Sequence, residues 1–227
     1  MPLGQYPGAG AGITKALYRL RDLTDESGNS NTLTNTGSVT FTSGRFGDGA
    51  NLGTSNSTKY LAVAVDGGIT TNITMSGWAR VLTSPGVGAI GVWFYQSYLA
   101  NKINRYIGYQ NVGGVLQLVF QHGRMGVVGD IQTYNITLDG TKFYHVALTD
   151  DGTTLIGYLN GEKIVSAAVS ASAGTSGVSN ITVGRNANNG IGFASIIAGE
   201  FILENRIWTP ADVKKYYTFA EGIFALG

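Results

Sequence analysis

The segment FYHVALTDDGTTLIGYLNGEKIVS, residues 143–166, decides the fold class of this chain. Apolar and polar residues alternate along it, which is the pattern of half-buried β-strands. Asp151-Gly152 and Asn160-Gly161 interrupt the alternation, and such pairs supply the positive φ angles of the type I′ turns that join hairpin strands. The segment therefore predicts three consecutive antiparallel strands joined by hairpins.

More strands are predicted on both sides of this segment. Residues 73–81 alternate in the same way, which would place Ile73, Met75, Ala79 and Val81 on one face and leave Trp78 on the other. Shorter stretches of the same type are residues 15–20, 115–120, 181–184 and 196–203. Many short strands separated by turns predict an all-β sandwich or barrel.

One helix is expected near the C-terminus. Thr209 supplies an N-cap hydroxyl, Pro210 suits the first helical position, and Asp212 places a negative charge in the first turn. Val213 and Tyr216 then fall on one side at helical spacing. We expect a short helix of about two turns.

Composition excludes several classes of function. Lys plus Arg is 15 and Asp plus Glu is 14, which gives a net charge of +1 and no basic patch for nucleic acid. The absence of Cys excludes disulfides, thiolate zinc sites and thiol catalysis. No apolar run is long enough for a membrane-spanning helix, and the N-terminus lacks the pattern of a signal peptide.

Four segments resemble the laminin-G-like, concanavalin A-like jelly-roll domains of lectins and glucanases. They are the loop LTDESGN at 23–29, the turn GRFGDGANL at 44–52, the strand SGW at 76–78 with the hairpins YHVALT, DG and YLNG at 144–161, and the C-terminal stretch 181–217. Tyr144 replaces the first His of the family's pair, and Gly199-Glu200 replaces an acidic pair. The resemblance implies a two-sheet antiparallel jelly-roll sandwich over residues 13–227.

Catalysis is not expected. Glycosidases need two carboxylates that face one cleft. Glu200 and Glu204 are the nearest candidates, but a spacing of four strand residues places them about 13 Å apart. Alternation with Phe201 and Leu203, which are expected to face the core, directs both glutamates away from it. His145 is expected to be a buried, hydrogen-bonded residue and His122 a solvated residue at a turn. We therefore expect a non-catalytic protein.

A structural calcium ion is one interpretation of the polar loop after the first strand. Asp25, Asn29 and Asn31 offer the carboxylate, amide and carbonyl oxygens that calcium prefers, and Gly28 permits a sharp turn. The alternative is a loop of Asx turns without metal. No other cofactor is expected.

Ligand-binding residues are expected among aromatic and amide side chains, because sugars present apolar C–H faces and hydroxyl groups. Alternation places Phe94 on the face opposite Trp93 and Tyr95, so part of the aromatic set belongs to the core. The candidates are Trp93, Tyr95, Tyr98, Tyr106, Tyr109, Arg185, Asn186, Asn188 and Asn189.

The expected function is a surface recognition or structural module. Residues 1–12, MPLGQYPGAGAG, are expected to form a flexible arm, and the uncharged polar surface points to a virion-surface or extracellular protein. A lone domain of this kind resembles phage virion proteins, such as capsid decorations, fibres or adhesion parts. Its partners would be a glycan or host cell surface, capsid or tail proteins, or further copies of itself. The alternative is a carbohydrate-binding module of a secreted polysaccharide-active enzyme.

Overall fold

The computed structural model describes residues 13–54, 58–65, 71–98, 103–124, 127–170, 180–186 and 192–224. The predicted arm, residues 1–12, lies outside this range. The described residues form fifteen strands and one helix. Their bounds are β1 (Thr14–Tyr18), β2 (Thr34–Thr36), β3 (Thr40–Ser43), β4 (Asp48–Asn51), β5 (Tyr60–Ala64), β6 (Ile73–Val81), β7 (Ile90–Tyr98), β8 (Ile103–Val112), β9 (Val115–Arg124), β10 (Val127–Asn135), β11 (Tyr144–Asp150), β12 (Thr154–Leu159), β13 (Glu162–Ala168), β14 (Asn180–Val183), β15 (Ile196–Glu204) and α1 (Pro210–Phe224).

The strands form two antiparallel sheets that pack face to face, as the resemblance implied. The eight-stranded sheet has the order β13-β12-β11-β6-β15-β4-β3, and β1 pairs with the second half of β15. The seven-stranded sheet has the order β10-β9-β8-β7-β14-β5-β2. Neighbours that are distant in sequence, such as β6 and β15, make this a jelly-roll sandwich rather than a meander.

The predicted hairpins are present, and their turns differ. Asn160 and Gly161 have φ angles of 49° and 81°, the two positive values of a type I′ turn. The Asp151-Gly152 connection is longer, because Asp150 pairs with Leu155. Its Asp151 carboxylate accepts the N–H groups of two following residues at 2.8 and 2.6 Å. This connection is therefore an Asx-type loop and not the type I′ turn expected.

The core lies between the sheets, and one bulge changes which side chains enter it. Met75 and Ala79 of β6 face the core and Trp78 faces away, as alternation predicted. In β7 the register shifts between Val92 and Phe94, and both Trp93 and Phe94 enter the core. The expectation that these two rings face opposite sides is wrong, because a β-bulge inserts one residue and breaks the alternation.

Helix α1 covers the outer face of the eight-stranded sheet. Thr209 and Asp212 cap it reciprocally, with Thr209 N–H donating to Asp212 at 2.9 Å and Asp212 N–H donating to Thr209 Oγ1 at 3.1 Å. The helix has 15 residues and is longer than the two turns expected. Val213 and Tyr216 pack in a second apolar cluster that contains Trp78, Trp208 and neighbouring side chains of the sheet. The part of this outer face that lies over the second apolar cluster is therefore closed to solvent.

Candidate functional site

Two of the predicted ligand-binding aromatic residues belong to the core. Trp93 and Tyr109 are almost completely buried, with ring centroids 5.6 Å apart. The Tyr109 hydroxyl accepts the Ser195 N–H at 3.0 Å and donates to the Thr83 carbonyl at 3.2 Å. Burial raises the pKa of Tyr109 to about 12. Both residues therefore stabilise the sandwich and lie out of reach of a ligand in solvent.

Tyr95 and Tyr106 lie opposite each other on neighbouring strands of the seven-stranded sheet. They form a separate apolar cluster with Val92 and Val119, and their exposed fractions are 0% and 4%. Burial raises the pKa of each to about 12. The structure therefore brings these two candidates together but leaves neither exposed. The side chain of Tyr98 and residues 188 and 189, both Asn, lie outside the described residues, so their predicted role stays a prediction.

Among the described residues predicted to bind a ligand, Arg185 and Asn186 are the ones that reach solvent. They follow β14 directly, and Gly184 turns the chain there with a φ of 94°. A Cβ at Gly184 would lie 2.4 Å from a methyl group of Leu52, so this position requires glycine. The Thr182 hydroxyl donates to the Arg185 carbonyl and fixes the turn. The backbone therefore presents both side chains at the end of the seven-stranded sheet.

Two aromatic rings hold the Arg185 side chain. Its guanidinium carbon lies 4.3 Å from the ring centroid of Tyr60 and 5.9 Å from that of Phe193. The two centroids are 6.5 Å apart, with the rings tilted by 48°. All three side chains are partly exposed. We call Tyr60, Arg185, Asn186 and Phe193 the rim cluster.

Sequence reasoning missed the two aromatic members of the rim cluster. Tyr60 begins β5 and precedes Leu61, which is completely buried, so alternation directs the tyrosine away from the core. Phe193 forms an isolated parallel bridge with Val92, a contact that no local sequence pattern predicts. The alternation at Tyr60 was the available signal.

The guanidinium of Arg185 uses little of its hydrogen-bonding capacity on the described residues. Its side chain makes one long hydrogen bond in the described part of the chain, from Nε to the Asn186 carbonyl at 3.4 Å, and no ion pair there. A guanidinium has five N–H donors in one plane, and stacking on aromatic rings holds that plane. The rim cluster can therefore present N–H donors to oxygen acceptors beside apolar ring surface.

The two glutamates weighed for catalysis are buried and engaged. Glu200 is 2% exposed, receives a hydrogen bond from Arg19 at 2.9 Å and also bonds the hydroxyl of Tyr216. Glu204 is completely buried and accepts bonds from Trp208 Nε1 at 2.6 Å and Arg206 at 2.9 Å. Both point away from the core, as predicted, and the described residues that cover this face bury them.

The Asp25 loop has the hydrogen bonds of the Asx-turn alternative. One carboxylate oxygen of Asp25 accepts the N–H groups of Leu17 and Ser27 at 3.0 and 2.9 Å. The other accepts the Ser27 hydroxyl and the Asn31 N–H at 2.9 and 3.0 Å. The amides of Asn29 and Asn31 donate to backbone carbonyls of β1 at 2.8 and 2.9 Å. Calcium would have to displace donors from both oxygens, so calcium binding stays a prediction.

Both histidines are buried, which confirms one expectation and corrects the other. His145 bonds the Ser76 hydroxyl at 2.8 Å, and burial lowers its pKa to about 3. His122 is not solvated at a turn but lies within β9, 1% exposed, with Nδ1 at 2.6 Å from Asp150. The sequence could not reveal this partner, because Asp150 comes from the opposite sheet. In the described residues, no set of three or more His, Asp or Glu side chains is arranged to hold a metal ion.

The Asp150 carboxylate is the centre of a buried polar cluster between the sheets. Arg105 Nε donates to it at 2.6 Å, and a second nitrogen of Arg105 donates to the Thr71 carbonyl at 2.8 Å. Burial alone would raise the pKa of Asp150, but the hydrogen bond from His122 and the charge of Arg105 hold it below its ordinary value. This cluster joins the two sheets and is inaccessible to a ligand.

Comparison with known proteins shows the fold. The sequence matches no protein-family model and no curated protein. Domain 4 of AbnA, a GH43 extracellular arabinanase from Geobacillus stearothermophilus solved in complex with arabinotriose, is similar at a TM-score of 0.65 and 18% identity, over 89% of this chain and 97% of that one. In the described part of the chain, no helix is long and apolar enough to cross a membrane.

Toxin binding domains have the same fold over part of their length. The binding domain of Paraclostridial Mosquitocidal Protein 1 gives a TM-score of 0.65 at 18% identity over 90% of this chain. The binding domain of botulinum neurotoxin DC, solved in complex with SialylT, gives 0.66 at 15% identity over 92%. This chain spans about half of each toxin domain, 52% in both cases. At these identities the likeness shows the two-sheet sandwich, and the laminin-G-like assignment stays a prediction.

Proposed function

We propose that this chain is a non-catalytic glycan-binding domain that contacts its ligand through the rim cluster. The observation that carries the proposal is the position of the Arg185 guanidinium, which lies over the ring of Tyr60 beside Phe193. Among the described residues, its one hydrogen bond is made by Nε, so its terminal N–H groups bond none of them. Sugars pack their C–H faces on aromatic surface and accept hydrogen bonds at their oxygens. The rim cluster supplies both features on accessible side chains.

The absence of catalysis is part of the same proposal. An acid and a base must both reach the substrate. Glu200 and Glu204 already bind chain donors beneath α1 and the adjoining segments. We expect that the protein does not hydrolyse polysaccharides. Turnover that Glu200→Gln abolishes would contradict this.

Of the two settings expected from the sequence, we propose a module of a secreted polysaccharide-active protein. The chain corresponds in fold to nearly all of domain 4 of an extracellular arabinanase, 97% of its length. Attachment to a virus particle has no support among the comparisons and stays a prediction, as do capsid partners and self-association. Retention on purified particles that depends on residues 1–12 would favour the virion role.

The proposal is tested on an array of plant, bacterial and animal oligosaccharides. Tyr60→Ala and Phe193→Ala should each weaken binding of the best oligosaccharide at least about tenfold, the equivalent of about 1.4 kcal/mol. Tyr134→Ala is the matched control, because Tyr134 is an exposed aromatic residue on β10 outside the rim cluster. Equal binding by all three variants, or no binding of any oligosaccharide by the wild type, would overturn the proposal.

A further inference from the structure

We infer that the sugar bound at the rim cluster carries a carboxylate group, as uronic and sialic acids do. This inference rests on the proposed function and names the ligand class of the same site. It depends on how Arg185 differs from the four arginines that bind a carboxylate within the described chain, and on the two aromatic rings beside its guanidinium.

Four arginines that the structure describes have a carboxylate partner. Arg19 and Arg21 bind Glu26, and Arg206 binds Glu204. Arg105 binds Asp150 in the core at 2.6 Å. In each pair, a carboxylate of the same chain neutralises the charge of the guanidinium. Arg185 forms no such pair with the described residues, although it lies beside the rings of Tyr60 and Phe193.

The two rings prepare Arg185 for an external anion. A free arginine side chain loses rotamer freedom when it binds a ligand, and stacking on Tyr60 has already removed part of that freedom. The guanidinium plane then offers paired N–H groups, whose spacing matches the two oxygens of a carboxylate. A carboxylate carries the opposite charge and accepts two parallel N–H bonds from a guanidinium, whereas a sugar hydroxyl is neutral and cannot form this paired arrangement. A carboxylate therefore uses this site better than a sugar hydroxyl does.

The apolar rings indicate an acidic sugar rather than a bare anion. Tyr60 and Phe193 keep exposed surface beside the guanidinium, and a sugar ring has the C–H face to cover it. An acidic peptide or a free carboxylate would leave that surface in water. The experiment therefore includes glutamate oligomers, which separate charge alone from charge carried on a sugar.

Binding is measured by titration calorimetry with galacturonic-acid and sialic-acid oligosaccharides and with the same compounds after carboxyl reduction to the neutral sugar. We expect the acidic form to bind at least about tenfold more tightly, because only this form pairs a negative charge with the guanidinium and accepts two parallel N–H bonds from it. Arg185→Gln should remove that difference and leave the weaker neutral binding. Arg80→Gln is the matched control, because Arg80 also lies over one ring, Phe143, at 5.5 Å on the other sheet.

The outcomes separate this inference from the proposed function. Equal affinity for acidic and reduced sugars, with both sensitive to Tyr60→Ala, would overturn the inference and leave glycan binding intact. An acid preference that survives Arg185→Gln, or one that Arg80→Gln removes to the same extent, would also overturn it. If glutamate oligomers bind as tightly as the acidic sugars, the site recognises anions in general, and the inference of an acidic sugar is overturned. Failure of every oligosaccharide to bind would overturn both.

Discussion

The outer face of the eight-stranded sheet and the rim cluster contain the same kinds of side chain but use them differently. Under α1, Glu204 is completely buried and bonds Trp208 Nε1 at 2.6 Å and Arg206 at 2.9 Å. In the rim cluster, the side chain of Arg185 is partly exposed and makes one long hydrogen bond, of 3.4 Å, with the described residues. Aromatic rings beside charged groups do not by themselves identify a binding site. The difference lies in whether the chain itself satisfies the polar groups.

The strongest test of this contrast is Glu204→Ala. The substitution leaves Trp208 Nε1 and the Thr14 hydroxyl without their buried acceptor. We expect the free energy of unfolding to fall by about 3 to 5 kcal/mol, as when one partner of a buried charged network is removed. Urea unfolding measures the change. The control is Glu162→Ala, which removes a carboxylate that is 70% exposed and should have little effect. Equal losses in the two variants would mean that the covered face is not a satisfied network.

The free energy of unfolding should depend on pH because of His145, which lies on the outer face of the eight-stranded sheet, and not because of the rim cluster. The pKa of His145 is about 3 in the folded protein and about 6.5 when exposed, so below pH 6.5 the unfolded chain binds a proton that the folded chain excludes. Stability should therefore fall as the pH falls, by about 2 kcal/mol from pH 7 to pH 5. Asp150, whose pKa is lowered, adds stability that is lost only in more acidic solution, below the ordinary carboxyl range.

The measurement is urea unfolding at pH 7 and pH 5 for the wild type and His145→Gln. Glutamine keeps a polar contact for Ser76 but does not titrate, so most of the pH-dependent loss should disappear. If the free energy of unfolding falls as much in the variant as in the wild type between pH 7 and pH 5, His145 is not the group responsible for the pH dependence.

The smallest effect is expected at the Asp25 loop, a third region in which the chain satisfies its own polar groups. Each carboxylate oxygen of Asp25 accepts two hydrogen bonds from the chain. We therefore expect that EDTA leaves the melting temperature of the wild type unchanged. Asp25→Ala should destabilise the protein with or without EDTA. A melting temperature that falls on chelation in the wild type, and not in Asp25→Ala, would establish the calcium alternative.

The sequence predicted what depends on local geometry. Asn160-Gly161 defined its turn because few residue pairs adopt two positive φ angles, and Thr209 with Pro210 defined the start of α1. The bulge beside Trp93 was not predictable, because it depends on pairing between β7 and β8 rather than on the strand's own residues. The rim cluster brings Tyr60 of β5 against Arg185 and Phe193, which are distant from it in sequence, so only Arg185 and Asn186 were predicted from the sequence.

Mapping where an oligosaccharide binds tests most directly whether the rim cluster is the binding site. Backbone amide signals of the ¹⁵N-labelled protein are followed by NMR as the tightest-binding acidic oligosaccharide is added. We expect the largest shifts at Tyr60, Arg185 and Phe193, and no change along α1 or at Tyr134. Shifts centred on α1, or on β10 around Tyr134, would contradict it and place the recognition surface elsewhere on the sandwich.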